Sequence, residues 1–220
     1  TTSADVVPMG VAYDFKVTTL ANWNAPEYTD IFDAAEVNFD EKQELADTIA
    51  GALGRRSDQL VIDALDAATP TTIAHGGLAL TMAKVIDAQV ALRGKGVPNS
   101  NLFAAVNSAG LGGLLKDEKA TSADYQTVKA LVSGDVNSLA GFNFIILDDR
   151  AEGGLTVATN TVDSYFFNRE SVGLAIGIDM KTSVDWVAQK TSWLCNGMMK
   201  AGAVVRDVDG ICKVEYKDNV

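Results

Sequence analysis

The chain has 220 residues, with 18 Lys and Arg against 29 Asp and Glu, a formal net charge of -11 and 47% hydrophobic residues. That length and apolar content suit a substantial core in one large domain or two small ones, and they exclude bulk disorder. The acidic balance argues against sequence-independent nucleic-acid binding, which needs clustered Lys and Arg, and no apolar run approaches the length of a membrane-spanning helix.

In the opening segment, Val11, Tyr13, Phe15 and Val17 alternate with Ala12, Asp14, Lys16 and Thr18. This period of two predicts a strand. Asn22, Trp23, Asn24, Ala25 and Pro26 read as a turn or excursion. Residues 1–35 as a whole look extended, with few means of forming a core alone, and are expected to lie on another element or another subunit.

Residues 40–67 are the clearest helix, with Leu45, Ile49, Leu53, Leu60, Ala64 and Leu65 recurring near the helical period and Asp40 placed to cap the start. Such a helix is about 39 Å long at about 1.5 Å per residue, a spine more than a member of a short bundle. Gly51 and Gly54 weaken it by about 1 kcal/mol each unless they serve close packing or a bend. Asp30, Asp33, Glu36, Asp40, Glu41, Glu44 and Asp47 cluster around its start, interrupted only by Lys42, and Arg55 and Arg56 follow. Acids at a helix N-terminus favour the dipole. The same acids also form a surface suited to positive groups on another chain.

Pro70 ends this helix, and a second is expected over 79–92, with Met82, Val85, Ile86, Val90 and Leu92 as its stripe and Thr81 or an earlier threonine as cap. Arg93, Gly94, Lys95, Gly96, Val97 and Pro98 make a stop and loop. A buried strand follows over 102–106, then a short helix over 109–115 capped by Asn107 or Ser108, a charged break, and a weaker helix over 123–131. Strands are expected over 141–147, 162–167, 172–178 and 184–189, while 193–205 is ambiguous because glycines interrupt it. Asp209 and Gly210 form a favoured two-residue turn, so 204–208 and 211–216 read as a hairpin. Early helices and late strands give an α+β fold with antiparallel or mixed sheets.

Reactive constellations are few. Asp148 and Asp149 end a strong strand, but neighbouring strand residues point to opposite faces, and a solvated loop is the simpler reading. Cys195 as nucleophile with His75 as base would need a spatial meeting and has no third partner; its setting after Trp193 and Leu194 suits a buried thiol. Cys195 and Cys212 are expected to be reduced, with one bond between them left open, and the single histidine excludes multi-histidine metal sites. No zinc spacing, phosphate loop, nucleophile elbow or calcium loop occurs, so no catalytic residue, metal or cofactor is assigned. The sequence begins at Thr1 without an initiator methionine and carries no secretory signal pattern. An extended opening segment, a charge-asymmetric long helix and glycine-rich strands fit a self-assembling protein, with an acidic soluble enzyme or a monomeric binding module as alternatives.

The order of elements resembles the major capsid proteins of tailed bacteriophages with the Hong Kong 97-like fold. Residues 39–65, with Glu44, Leu45, Ala46, Ile49 and Ala50, resemble the spine helix of the peripheral domain, and 6–30 the returning arm of the extended loop. Residues 81–92, 101–115 and 134–147 resemble the axial domain; 164–178 and 186–208 resemble strands returning to the periphery, and 204–211 the terminal hairpin. The resemblance implies an extended-loop return over 1–35, a peripheral domain of 36–75 with 179–220, and an axial domain over 76–178. It implies pentamers and hexamers in an icosahedral head around double-stranded DNA, assembled in a bacterial host cytoplasm, with portal, scaffolding and cement proteins as partners. It also implies an N-terminal arm and an outgoing loop strand; neither is evident, so Thr1 is expected to fall within an arm. No crosslinking Lys–Asn pair stands out. As subunit contacts the reading nominates Asp40, Glu41 and Glu44 against a neighbour's basic loop, with Arg55, Arg56, Arg93 and Lys95 as complements.

Overall fold

The computed structural model describes residues 10, 14–117, 138–147 and 149–218; the helix expected over 123–131 lies outside them. In chain order the elements are β1 (Ala21–Asp30), α1 (Ile31–Glu36), α2 (Glu41–Ala67), β2 (Thr71–Ile73), α3 (Met82–Gly94), β3 (Leu102–Asn107), α4 (Ser108–Lys116), β4 (Ser138–Leu139), β5 (Phe142–Leu147), β6 (Val157–Ala158), β7 (Thr161–Asn168), β8 (Val172–Val187), β9 (Ser192–Val205) and β10 (Ile211–Lys217). They form two sheets. One has three antiparallel strands in the order β1-β9-β8; the other has seven, with the path β2-β10-β7-β3-β5-β4 and β6 on β7.

Helix α2 starts where expected. Asp40 caps it, accepting from the backbone N–H groups of Lys42 and Gln43 at 3.2 and 3.4 Å. Its first half packs Ile49 and Leu53 against Cys195, Met199 and Ala201 of β9, a small core flanked by Trp23 and Ala25 of β1. Its last turns enter the larger core, where Leu65 joins Val85, Leu92, Val106, Leu114, Phe142, Tyr165, Phe166 and Tyr216. Three further contacts fasten this end. Tyr165 Oη donates to Asp66, Thr156 Oγ1 donates to the same carboxylate at 2.5 Å, and Gln59 accepts from the Gly153 N–H at 2.9 Å. One 27-residue helix therefore belongs to both cores. A Cβ on Gly54 would meet nothing within 4 Å, so close packing does not explain that glycine.

Helix α4 is capped by Asn107, whose Oδ1 accepts from the Gly110 N–H at 2.8 Å and from Tyr216 Oη at 2.6 Å. Thr81 precedes α3 but makes no side-chain cap; Asp117 accepts from the Met82 N–H at 2.9 Å in its place. Lys84, only 7% exposed, donates to the carbonyls of His75, Leu78 and Glu215 at 2.8, 3.1 and 3.2 Å. Burial pushes its pKa down, and the Glu215 carboxylate partly opposes that. These three bonds tie α3 to the loop after β2 and to the end of β10. K84M removes the donor and leaves the acceptors in place, so about 1–3 kcal/mol of stability should be lost. Urea unfolding of the isolated subunit reads this, and an unchanged midpoint would deny the lysine that role.

Four expectations need correction. Residues 14–20 are irregular, not a strand, and the strand lies instead over 21–30, across the supposed turn at Asn22 to Pro26. Pro26 is tolerated because β1 is an edge strand. Residues 31–36 are helical, with Asp30 accepting from the Phe32 N–H at 3.0 Å, so the first 35 residues are not wholly extended. The strands expected over 172–178 and 184–189 are one, β8, with register shifts between Ile176 and Lys181, and the ambiguous stretch is its partner β9. The terminal hairpin is absent: β9 ends in the three-stranded sheet, whereas β10 pairs with β7 and β2 in the other. Asp209 and Gly210 still turn the chain, with the Ile211 N–H on the Val208 carbonyl at 3.2 Å, but neither has the positive φ of the favoured hairpin turn.

Candidate assembly interface

The nominated acids lie together on the first turn of α2. Asp40 and Glu44 are exposed and Glu41 is half-buried, and none of the three makes an ion pair among the described residues. One Glu41 carboxylate oxygen is buried without a hydrogen-bond partner. The only cation in their run, Lys42, is turned away, with its ammonium over the Trp193 ring at 3.9 Å from the centroid.

The nominated cations fare differently. Arg56 is held within its own subunit, stacked over Trp23 at 3.9 Å and near Glu152 and Asp63 at 3.7 and 4.0 Å. Arg55 is half-buried, and the Gly153 loop lies so close that a Cβ there would be 3.2 Å from the Arg55 Cβ. Lys95 pairs with Asp209 at 2.8 Å. Arg93 is exposed and makes no ion pair among the described residues.

The enzyme candidates do not converge. Cys195 is fully buried beneath α2, and burial pushes its thiol pKa up. His75 is in the loop after β2, where Nδ1 accepts from the Gly77 N–H at 2.9 Å. Cys195 and Cys212 are free thiols in different sheets, and burial pushes the latter's pKa up to about 11. Asp149 accepts from Asn107 Nδ2 and Ser108 Oγ at 2.9 and 2.8 Å, a local support for the start of α4; Asp148 lies outside the described residues. Among the described residues no group of three His, Cys, Asp or Glu is placed to hold a metal.

Sequence reading missed what the glycines do. A Cβ on Gly197 would collide with Ile49 Cγ2 and stand 2.9 Å from Leu53 Cδ1, so this glycine lets α2 settle on β9. On the other face, a Cβ on Gly202 would collide with the Thr19 carbonyl oxygen and one on Gly177 would be 2.8 Å from Leu20 Cδ1. The only signal in the sequence is glycine at unusual strand positions, which marks close backbone approach without naming the partner.

A sheet carrying a long helix, with a second sheet sharing that same helix, is an arrangement this chain has in common with several solved structures. A chain from Mycobacterium phage Che8 superposes with a TM-score of 0.69 at 16% identity, covering 88% of this chain and 70% of that one. One from the head of Helicobacter pylori bacteriophage KHP40 gives 0.74 at 11% identity over 92% and 76%. One from an encapsulin complex of Synechococcus elongatus gives 0.62 at 10% identity over 93% and 76%. The fold is thus Hong Kong 97-like, α+β with a long spine helix and mixed and antiparallel sheets. A family model described as Phage capsid protein matches residues 1–218, and the chain belongs to that family. No curated protein matches it. It is a structural capsid protein that assembles with its own copies into an icosahedral shell, which displaces the soluble-enzyme and monomeric-module alternatives.

Proposed function

We propose that this chain is the major subunit of a phage head enclosing double-stranded DNA, assembled as pentamers and hexamers in the cytoplasm of a bacterial host. Portal, scaffolding and cement proteins are its expected further partners. The family match along 1–218 carries the reading. The layer built on α2 and the three-stranded sheet corresponds to the peripheral unit, and the seven-stranded sheet with α3 and α4 to the axial one. Strand pairing supports different boundaries for this division, with β8, from Val172, in the three-stranded sheet and β10 in the seven-stranded one. An acidic wall confines DNA without gripping it, because unneutralised acids release no counterions from phosphate.

In this reading the unpaired acids of α2 contact a basic loop on a neighbouring copy. Arg93 is the best-placed complement, being exposed and unpaired among the described residues; Arg55, Arg56 and Lys95 have contacts within their own subunit. The triple change D40N, E41Q and E44Q removes the charge and keeps the cap, because Asn caps as well as Asp. It should cost the folded subunit about 1–2 kcal/mol through the lost interactions with the helix dipole, leave it folded, and reduce shell yield. Wild-type assembly should also weaken as salt rises, since screening acts over about 8 Å at physiological ionic strength. Electron microscopy across a salt series reads both, and normal shells from the triple variant at every salt would remove the acids from the interface.

A further inference from the structure

The chain passes between the two sheets after α2, again at the short turn Arg169–Ser171 between β7 and β8, and again over residues 206–210 between β9 and β10. The last two passages are bonded to each other. The Ser171 carbonyl accepts from the Arg206 and Asp207 N–H groups at 2.8 and 3.3 Å, and the Gly210 carbonyl accepts from the Asn168 N–H at 3.0 Å. Asn168, 4% exposed, also donates through Nδ2 to the Ser100 carbonyl at 3.1 Å and accepts through Oδ1 from the Glu170 N–H at 2.9 Å. The Arg169 N–H donates to the Asn101 carbonyl at 3.0 Å, and Lys95 pairs with Asp209 at 2.8 Å. Both passages are thereby tied to the loop that leads into β3.

Gly210 is what lets them lie so close. Its φ is not positive, so its backbone would accept alanine. A Cβ there would nevertheless collide with Ser171 Oγ and stand 2.9 Å from Ser171 Cβ, and turning the hydroxyl away clears only the first of these. Beside this clasp is a cleft of about 600 Å³, lined by Leu174 and Val204 of one sheet and Asn168 of the other. Open space offers no resistance to a change of angle, so on this side the clasp must supply it.

We propose that the clasp fixes the angle between the two sheets and, through it, the diameter of the shell into which the copies close. Gly210 and Asn168 are then positioning residues for assembly. The proposal rests on the assembly of this chain into a closed shell and adds what sets its size. A closed shell repeats one subunit shape in every copy, so a small change of angle is repeated at each and alters the curvature at which the shell closes.

The test compares wild type, G210A, the paired change S171G with G210A, and N168A. Circular dichroism follows folding, hydrogen exchange follows the clasp amides, and electron microscopy gives the distribution of shell diameters. G210A should stay folded, exchange the Asn168 and Arg206 amides roughly tenfold faster, and lower the odds of the wild-type diameter among closed shells by a similar factor. The paired change moves the side chain from one passage to the other and should restore both. A subunit that is only less stable would give fewer shells of the same diameter, and that result from G210A would overturn the proposal. So would wild-type protection of those amides in G210A, or failure of the paired change to restore the diameter. Should G210A misfold, N168A decides. It adds no atom, frees the Ser100 and Glu170 contacts, and should spread the diameters likewise, whereas a single wild-type diameter would overturn the proposal. Failure of the wild type to form shells would overturn the capsid reading itself, an outcome separate from the others.

Discussion

Replacing Phe166 by alanine should destabilise the subunit by about 3–5 kcal/mol, close to the whole stability of a small domain. Phe166 is fully buried in β7, at the centre of the seven-stranded sheet. Its ring meets Phe142 and Phe144 edge-on, with centroids 5.0 and 6.3 Å away and planes at 89° in both. Edge-to-face pairs contribute about 0.5–1.5 kcal/mol beyond the area they bury, so the deletion removes packing on two sides as well as leaving a cavity. Phe142 and Phe144 come from β5 and are held in register by the strand between, β3, and therefore cannot collapse into the space. Urea unfolding of unassembled subunits measures the loss; a value under about 1 kcal/mol would show that the sheet relaxes around the hole.

The second large effect is expected at Gly197. G197V puts side-chain atoms where Ile49 and Leu53 of α2 now sit, so helix and sheet must separate. Overpacking usually costs about 1–3 kcal/mol, and the upper end applies here because both neighbours are side chains already buried in a small core. The collision is specific, which makes it separable from a general intolerance of valine in β9. Truncating the partner in the same chain, as G197V with I49A, should recover about 1 kcal/mol or more relative to the sum of the single changes. Additive losses in that double-mutant cycle would mean that the glycine serves something other than the approach of the helix.

The fold was legible where its signals are local. Helix α2 was placed to within a residue, since apolar spacing, the Asp40 cap and Pro70 all act within a few positions. The strands β3, β5 and β7 and the Asn107 cap of α4 were legible for the same reason. The three-stranded sheet was not. β1 carries two asparagines and a proline, and its place at an edge, which makes that composition tolerable, is a tertiary fact. β9 reads as broken because Gly197 and Gly202 interrupt it, yet each glycine answers to a chain segment about 150 or more residues distant in sequence. Asp209 and Gly210 show the converse: that the chain turns there is a local fact, but the hairpin read from it is absent, because which sheet each flanking strand joins is decided elsewhere. The acid cluster at the start of α2 was legible as charge. The intrasubunit partners of Arg56 and Lys95 were not, because those contacts form only on folding.

Fastening α2 in both cores has a mechanical consequence. Were the two sheets joined only by strands, each could tilt on its own as neighbours pressed on it. With the helix held at Ile49 and Leu53 on one sheet and at Leu65 and Asp66 on the other, independent tilting must bend the helix or break the bonds to Tyr165 and Thr156. The subunit therefore responds to load as a lever, delivering a push on its acidic end to the far sheet. Differences in curvature between places in a shell then fall on parts the lever does not hold, such as the tip between β8 and β9.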